Sequence, residues 1–154
     1  MPRCEVRSFI APTKDGFPER LRRIGSIAVD PFDPQHVLVG GIGFGRVSQD
    51  NDFGGMYVTS DGGATWMRET FISTANYWCH RIVFDPATKG RVFATMTSRG
   101  MASGIYRSTD GGKNWAQLKA GLPSSDRIGR TSVAISSSNP RIIYLISDQP
   151  QPSE

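Results

Sequence analysis

Two octapeptides in the chain are nearly identical: TSDGGATW at residues 59–66 and STDGGKNW at residues 108–115. Their flanks repeat as well, because SIAVDPFDPQHVLVGG precedes the first and RIVFDPATKGRVFATM precedes the second. A third copy of this flank, SVAISSSNPRIIYLIS, covers residues 132–147. Asp30, Asp85 and Ser136 occupy equivalent positions, so the chain repeats itself about every fifty residues. This internal repeat constrains the fold more than any other feature.

A repeat of this length is typical of the four-stranded blade of a β-propeller. Each unit contains short β-branched, alternating segments separated by turn residues such as the DPFDPQ stretch, in which proline disfavours both helix and ladder. Capped segments with a helical apolar period are not found, so the sequence predicts an all-β chain. The predicted strands are 27–29, 37–39, 55–60 and one opening at Trp66, then 82–84, 92–97, 105–108 and 115–118.

The octapeptides have the composition of a tight turn between two strands. An aspartate at the bend accepts hydrogen bonds from backbone N–H groups beyond it, and the paired glycines allow positive φ. The tryptophan at the end buries a large flat surface. We therefore interpret Asp61 and Asp110 as turn residues, in preference to a catalytic or calcium-binding role.

The octapeptides resemble the Asp-box, or bacterial neuraminidase repeat, of a β-propeller family. The first matches the motif at every position, and the second carries Asn114 where the motif has threonine. The flanks over residues 24–147 are similar to repeats of sortilin-type propellers, xyloglucanases and the photosystem II assembly factor. The resemblance implies a structural role for two residue sets: Thr59, Asp61, Gly63, Thr65 and Trp66, then Ser108, Asp110, Gly112, Asn114 and Trp115.

The expected organisation is a non-repeat segment (1–23), one blade (24–70), a second blade (71–120), the start of a third (121–147) and a polar tail (148–154). Propellers close with about four to eight blades. About two and a half blades are predicted, so we expect the chain to be part of a larger propeller. The alternative is that identical copies join through exposed strand edges.

The loops between the second and third strands and the links between blades are expected to form one rim, where a ligand would bind. Aromatic faces beside carboxylates and arginines suit sugar rings, although each residue also has a structural explanation, such as packing for Trp78 or turn formation for the aspartates. The spaced glycines of GIGFG precede no helix and predict no phosphate site. The candidate ligand-binding residues are Asp50, Asp52, Tyr77, Trp78, His80, Arg99, Asp126 and Arg127.

These features favour a binding or scaffold module with a glycan or protein ligand at the rim. The alternative is part of a glycoside hydrolase, xyloglucanase- or sialidase-like, whose catalytic carboxylates lie about 5–10 Å apart. Its second carboxylate would come from blades outside this chain. Assembly of a membrane complex is a third possibility. The resemblance implies a secreted or periplasmic protein, although residues 1–17 contain no apolar stretch long enough for a signal peptide.

Composition excludes several other classes. The formal net charge is +4, but the arginines are scattered, so nucleic-acid binding is not expected. The two cysteines, Cys4 and Cys79, lack the spacing of a zinc or redox site, and whether they pair is left open. Neither a metal nor another cofactor is predicted. Because apolar runs stay far below about 18 residues, no membrane span is predicted.

Overall fold

The computed structural model describes residues 23–42, 54–69, 77–98 and 103–148. Within these ranges the regular structure is ten strands and one 3₁₀ turn at Ser125–Arg127. The strands are β1 (Arg23–Asp30), β2 (Asp33–Ile42), β3 (Gly55–Thr59), β4 (Met67–Arg68), β5 (Tyr77–Phe84), β6 (Val92–Ser98), β7 (Gly104–Ser108), β8 (Ala116–Leu118), β9 (Thr131–Ile135) and β10 (Ile143–Ser147).

The strands form three antiparallel sheets that follow the sequence repeat. The first sheet has the order β1-β2-β3-β4, the second has the order β5-β6-β7-β8, and the third pairs β9 with β10. Within each sheet, strands that are consecutive in the chain pair antiparallel. The predicted all-β fold, with propeller blades of four antiparallel strands, is confirmed. None of the helices in the described ranges is long and apolar enough to cross a membrane.

The first hairpin of each sheet is closed in the same way. Asp30 and Asp85 each accept a hydrogen bond from the backbone N–H two residues later, at 2.9 and 2.7 Å. Ser136, at the equivalent position of the third sheet, accepts one from the N–H of Asn139 at 3.2 Å. These are the Asx-type and hydroxyl turns that the sequence favours at such positions. The sequence repeat is therefore a structural repeat.

The largest apolar core lies between the first and second sheets. Side chains from one face of the first sheet pack against one face of the second, and Trp115 closes the outer end of this core. The buried members are Leu38, Met56 and Val58 from the first sheet, and Tyr77, Cys79, Ile82, Phe84, Val92, Ala94, Met96 and Tyr106 from the second.

Glycine at position 40 allows the second sheet to approach the first. A Cβ atom at Gly40 would lie 2.7 Å from the carbonyl oxygen of Cys79 and 2.9 Å from its Sγ. Cys79 is fully buried, and this burial raises the pKa of its thiol. The thiol of Cys79 is free, with no disulfide to any residue that the structure describes. Cys4 and the rest of the predicted non-repeat segment up to residue 22 lie outside the described residues.

The first octapeptide forms a tight turn between β3 and β4. Thr59 Oγ1 donates to Asp61 Oδ1 at 2.6 Å and accepts from the N–H of Gly63 at 2.9 Å. The carboxylate of Asp61 also accepts from the backbone and side chain of Thr65. Gly62 and Gly63 have φ of 71° and 96°, which favours glycine over residues with a Cβ. The turn thus satisfies its polar groups internally.

The second octapeptide repeats this network between β7 and β8. Ser108 Oγ donates to Asp110 at 2.7 Å and accepts from the N–H of Gly112 at 2.9 Å. Asn114, which replaces the threonine of the first turn, donates its side-chain amide to Asp110 Oδ2 at 2.7 Å. Asparagine therefore serves the same purpose as threonine here, because both supply a donor to the second carboxylate oxygen.

The two tryptophans end the turns and do not open the fourth strands as expected. The strands β4 and β8 begin at Met67 and Ala116, one residue after each tryptophan. Trp66 is buried in a small cluster with Val37, Val39 and Tyr57. The indole N–H of Trp115 donates to the carbonyl of Gly112 at 2.7 Å. Both indoles thus pack into apolar clusters, Trp66 on its own sheet and Trp115 against the core between the first and second sheets.

We expect the second turn to make the protein acid-sensitive. Partial burial raises the pKa of the Asp110 carboxyl. Hydrogen bonds from Asn114 and Ser108 outweigh this effect and lower the pKa from 3.8 to about 2. A group whose pKa is lowered by folding stabilises the fold above its unfolded-state value and loses that contribution as pH falls through the folded-state value. Asp110→Asn should therefore cost about 1 kcal/mol at pH 7, a modest figure because the carboxylate is exposed and screened.

Urea unfolding followed by tryptophan fluorescence measures this cost at each pH. The difference between the wild type and Asp110→Asn should shrink between about pH 4 and pH 2, the window set by the two pKa values. A difference that is constant from pH 7 to pH 2 would contradict the role assigned to the carboxylate.

Candidate functional site

The innermost strands of the first two sheets share an irregularity that shapes the site. The register of β1 shifts between Ile24 and Ser26, and that of β5 shifts between Cys79 and Arg81. The residues at these β-bulges are Gly25 and His80, which are equivalent in the repeat. A bulge changes the direction in which a side chain points and often occurs beside a functional site. In β5 it places His80 on the wall of a cavity.

This cavity, of about 500 Å³, is lined by residues from the N-terminal halves of β1, β5 and β9. All three sheets contribute to it, because β1 contacts β5 and β5 contacts β9. Ile24, Ile42 and Ile146 supply apolar wall. The polar side chains on the lining are Arg23, His80, Arg130, Thr131, Ser132 and Asp148.

His80 is a neutral group in this lining at physiological pH. Burial, aided by the nearby Arg130 guanidinium, lowers the pKa of its imidazole from 6.5 to about 4, and Asp148 acts in the opposite direction. His80 Nε2 lies 3.0 Å from Thr97 Oγ1, which orients the ring. Its Nδ1 is buried and has no hydrogen-bond partner among the residues that the structure describes. The ring is therefore held in one orientation on the cavity wall.

Arg130 and Asp148 are held opposite each other at the end of the third sheet. The N–H of Asp148 donates to the carbonyl of Arg130 at 3.0 Å, and the N–H of Gly129 donates to the carbonyl of Asp148 at 3.0 Å. With His80 neutral, the charged lining that the described residues supply consists of the guanidinium groups of Arg23 and Arg130 and the carboxylate of Asp148. The cavity therefore carries a positive balance that attracts anionic groups.

The structure separates the predicted ligand-binding residues into three groups. His80 lines the cavity. The ring of Trp78 lies edge-on to the imidazole of His80, with ring centroids 6.4 Å apart. Tyr77 is a core residue, 1% exposed, and its hydroxyl donates to the carbonyl of Glu69 and accepts from the N–H of Met56. Two exposed candidates, Asp126 and Arg127, lie on the 3₁₀ turn and not on the lining. Asp50, Asp52 and Arg99 lie outside the described residues.

Sequence reasoning missed Arg23, Arg130 and Asp148. Arg23 opens β1 and Arg130 immediately precedes β9, so each lies at the start of the first strand of its repeat. The ungapped repeat alignment matches Arg130 with Ile24, one residue from Arg23, because the β-bulge at Gly25 adds a residue to β1. Arg130 lies in the expected rim loop at residues 123–130 but was not selected, and Asp148 follows the last repeat.

Metal binding finds no support in the described ranges. No group of three or more histidine, cysteine, aspartate or glutamate side chains there is arranged to hold a metal ion. Asp61 and Asp110 are engaged by hydroxyl, amide and backbone donors of their own turns.

No described protein family matches the sequence, and no curated protein matches it. Among solved structures, the chain is similar to YCF48 bound to a D1 peptide, with 20% identity and a TM-score of 0.47 over 68% of this chain and 30% of that one. It is also similar to YCF48 from Cyanidioschyzon merolae, with 26% identity and a TM-score of 0.42 over 65% and 25%.

A third similar structure is the GH74 xyloglucanase from Xanthomonas campestris, with 16% identity and a TM-score of 0.38 over 71% of this chain and 25% of that chain. YCF48 and this xyloglucanase are β-propeller proteins. The chain matches between 25% and 30% of the length of these solved chains.

Proposed function

We propose that the chain is a β-propeller binding module whose ligand presents a carboxylate to the cavity between the three sheets. The observation that carries this proposal is the pairing of Arg23 and Arg130 on one cavity of about 500 Å³. Arginine binds carboxylates through two parallel N–H donors, and such charge-assisted bonds are stronger than neutral ones. An acidic peptide or an acidic glycan meets this requirement.

The remaining lining supports the same ligand class. His80 adds a partly buried, neutral imidazole to the lining, with Nε2 3.0 Å from Thr97 Oγ1. Thr131 and Ser132 add hydroxyl groups, and Ile24, Ile42 and Ile146 supply apolar contacts. A cavity with apolar walls and a few convergent polar groups is the usual form of a small-ligand site.

The hydrolase alternative receives less support. Glycoside hydrolysis requires two carboxylates on either side of the bond that is broken. Asp148 is the one acidic side chain that the structure describes on the cavity lining. A single carboxylate opposite two arginines favours binding over acid–base catalysis.

The proposal is tested by titrating the protein with three probes: a hexaglutamate peptide, trigalacturonate and a neutral xyloglucan heptasaccharide. We expect the two acidic probes to bind, to weaken with added salt, and to lose affinity by about tenfold or more in Arg130→Ala. Arg127→Ala is the matched control, since Arg127 is an exposed arginine of the 3₁₀ turn outside the lining.

Equal affinity of the wild type and Arg130→Ala for both acidic probes would contradict the proposal. Preferential binding of the neutral heptasaccharide would also contradict it, because a site built around guanidinium groups gains nothing from an uncharged sugar. If only one acidic probe binds, that result identifies the ligand class as peptide or glycan.

A further inference from the structure

The apolar wall of the cavity continues onto an exposed face of the third sheet. Ile146, on β10, lines the cavity and also lines a second, smaller cavity of about 150 Å³. Ala134 and Tyr144, which are cross-strand partners, line this smaller cavity too. Alternate residues of a strand point to the same face, so Tyr144 and Ile146 share one face with Ala134. We call these three residues the apolar patch.

The apolar patch is exposed where the repeat normally buries side chains. Tyr144 and Ile146 are 65% and 75% exposed. Leu38 and Phe93 occupy the position of Tyr144 in the first and second sheets, and they are 0% and 3% exposed. The opposite face of the third sheet is covered, since Val133 is 2% exposed. Two large apolar side chains therefore remain in solvent on a single face.

The apolar patch lacks the feature that joins one sheet to the next. Ile146 occupies the position of Gly40 in the first sheet and of Thr95 in the second. A Cβ atom at Gly40 would lie 2.7 Å from the carbonyl oxygen of Cys79, on the next sheet. Thr95 Oγ1 donates to the carbonyl of Thr131, also on the next sheet, at 2.7 Å. Isoleucine is larger than glycine and has no hydroxyl group, so the patch favours an occupant other than a further sheet.

The cavity and the apolar patch form one amphipathic surface because Ile146 belongs to both. The guanidinium groups of Arg23 and Arg130 favour a carboxylate in the cavity. Tyr144 lies two residues from Ile146, or about 7 Å along the strand. An extended peptide has the same spacing between alternate side chains, so it can place apolar groups over both residues. A sugar hydroxyl finds no hydrogen-bond partner on the side chain of Ile146, which favours a peptide over a glycan.

We propose that the ligand is an extended acidic peptide that carries apolar side chains next to its carboxylate. The carboxylate binds in the cavity, as in the proposed function on which this inference rests, and the apolar side chains cover Tyr144 and Ile146. Burial of an apolar side chain raises affinity in proportion to the area removed from water. The apolar patch therefore selects among acidic peptides, whereas the guanidinium groups select acidic ligands as a class.

Two peptides of equal charge test this inference by isothermal titration calorimetry. The first has three central glutamates, flanked on each side by glycine, leucine, glycine and phenylalanine in that order outward, so that it can bind in either chain direction. The second has glycine in place of every leucine and phenylalanine. Both are acetylated and amidated at their ends. We expect the first peptide to bind at least about tenfold more tightly than the second.

Substitutions separate the apolar patch from the cavity. Tyr144→Ser should remove the preference for the first peptide and leave the affinity for the glycine peptide unchanged, because Tyr144 is outside the lining of the larger cavity. Arg130→Ala should weaken the binding of both peptides, since it removes a guanidinium group. Met67→Ser is the matched control, because Met67 is 69% exposed on β4, and it should bind both peptides like the wild type. Circular dichroism must show the same β signal in every variant.

Five results would contradict the peptide ligand. Equal affinity of the wild type for both peptides would overturn this inference and leave the proposed function standing, whereas failure of both peptides to bind would overturn both. A preference that persists in Tyr144→Ser would locate the apolar contact elsewhere. Self-association of the wild type that is lost in Tyr144→Ser would assign the apolar patch to a second copy of the chain. Weaker binding of trigalacturonate in that variant would assign the patch to a glycan.

Discussion

Replacing Leu38 with alanine is expected to lower the free energy of unfolding by about 4 kcal/mol, the largest effect of any single substitution considered. Leu38 is fully buried in the core that joins the first and second sheets. It also contacts the second octapeptide, because a Cβ at Gly112 would lie 3.2 Å from Leu38 Cδ1 and 3.4 Å from Trp115 Cζ2. The cavity that the substitution creates would therefore lie between the first sheet, the second sheet and the second octapeptide turn.

Urea unfolding followed by tryptophan fluorescence measures the loss. Met67→Ala is the control, since a side chain that is 69% exposed should change the free energy by less than about 0.5 kcal/mol. A loss of similar size in both variants would show that the first and second sheets do not depend on their shared core.

Asp85→Ala is expected to lower the free energy of unfolding by about 3 kcal/mol. Asp85 is fully buried at the hairpin between β5 and β6, where it forms an ion pair with Arg91 and accepts a hydrogen bond from the N–H of Ala87 at 2.7 Å. Burial opposes ionisation, but the Ala87 N–H and the Arg91 guanidinium outweigh it and lower the pKa of the carboxyl. Its removal leaves the N–H of Ala87 without its acceptor and takes the carboxylate from Arg91, whose guanidinium keeps only the carbonyl of Pro140 at 3.5 Å among the described acceptors.

The first sheet provides a matched control for this substitution. Asp30 occupies the same position, but its partner is His36, with Nδ1 3.3 Å from Oδ2. Asp30→Ala should cost about 1 kcal/mol, because Asp30 loses a single side-chain contact with His36 at 3.3 Å, whereas Asp85 loses an ion pair with an arginine. Thermal unfolding monitored by circular dichroism compares the two variants, and equal losses would contradict the role given to Arg91.

Much of the fold could be predicted because the repeat specifies it twice. The alternation of Ile82 to Phe84 and of Val92 to Thr97, and the glycine pairs of the octapeptides, are local signals that depend on side-chain periodicity and positive φ. The fourth strands were predicted one residue too early because a tryptophan favours a strand by propensity. In the structure the two indoles pack into apolar clusters just before the strands begin, and sequence propensity does not report that choice.

The candidate site could be predicted only in part. Of the eight residues selected, His80 lines the cavity and Trp78 packs beside it, whereas Tyr77 is in the core. The residues were selected because they lie in the expected rim segments, and this position in the chain does not show how the register shift between Cys79 and Arg81 directs each side chain. Arg23 and Arg130 come together only when β1 and β9 converge.

The amino-acid sequence by itself determined the all-β class, the repeat length and the chemistry of the turns, since each depends on residues that are close together in the chain. The tertiary structure alone decided which face of each sheet is covered and which side chains surround the cavity. Both depend on how one blade stacks on the next, and this packing joins residues that are more than a full repeat apart in sequence. Periodicity identifies an apolar face, but only the neighbouring sheet decides whether that face is buried.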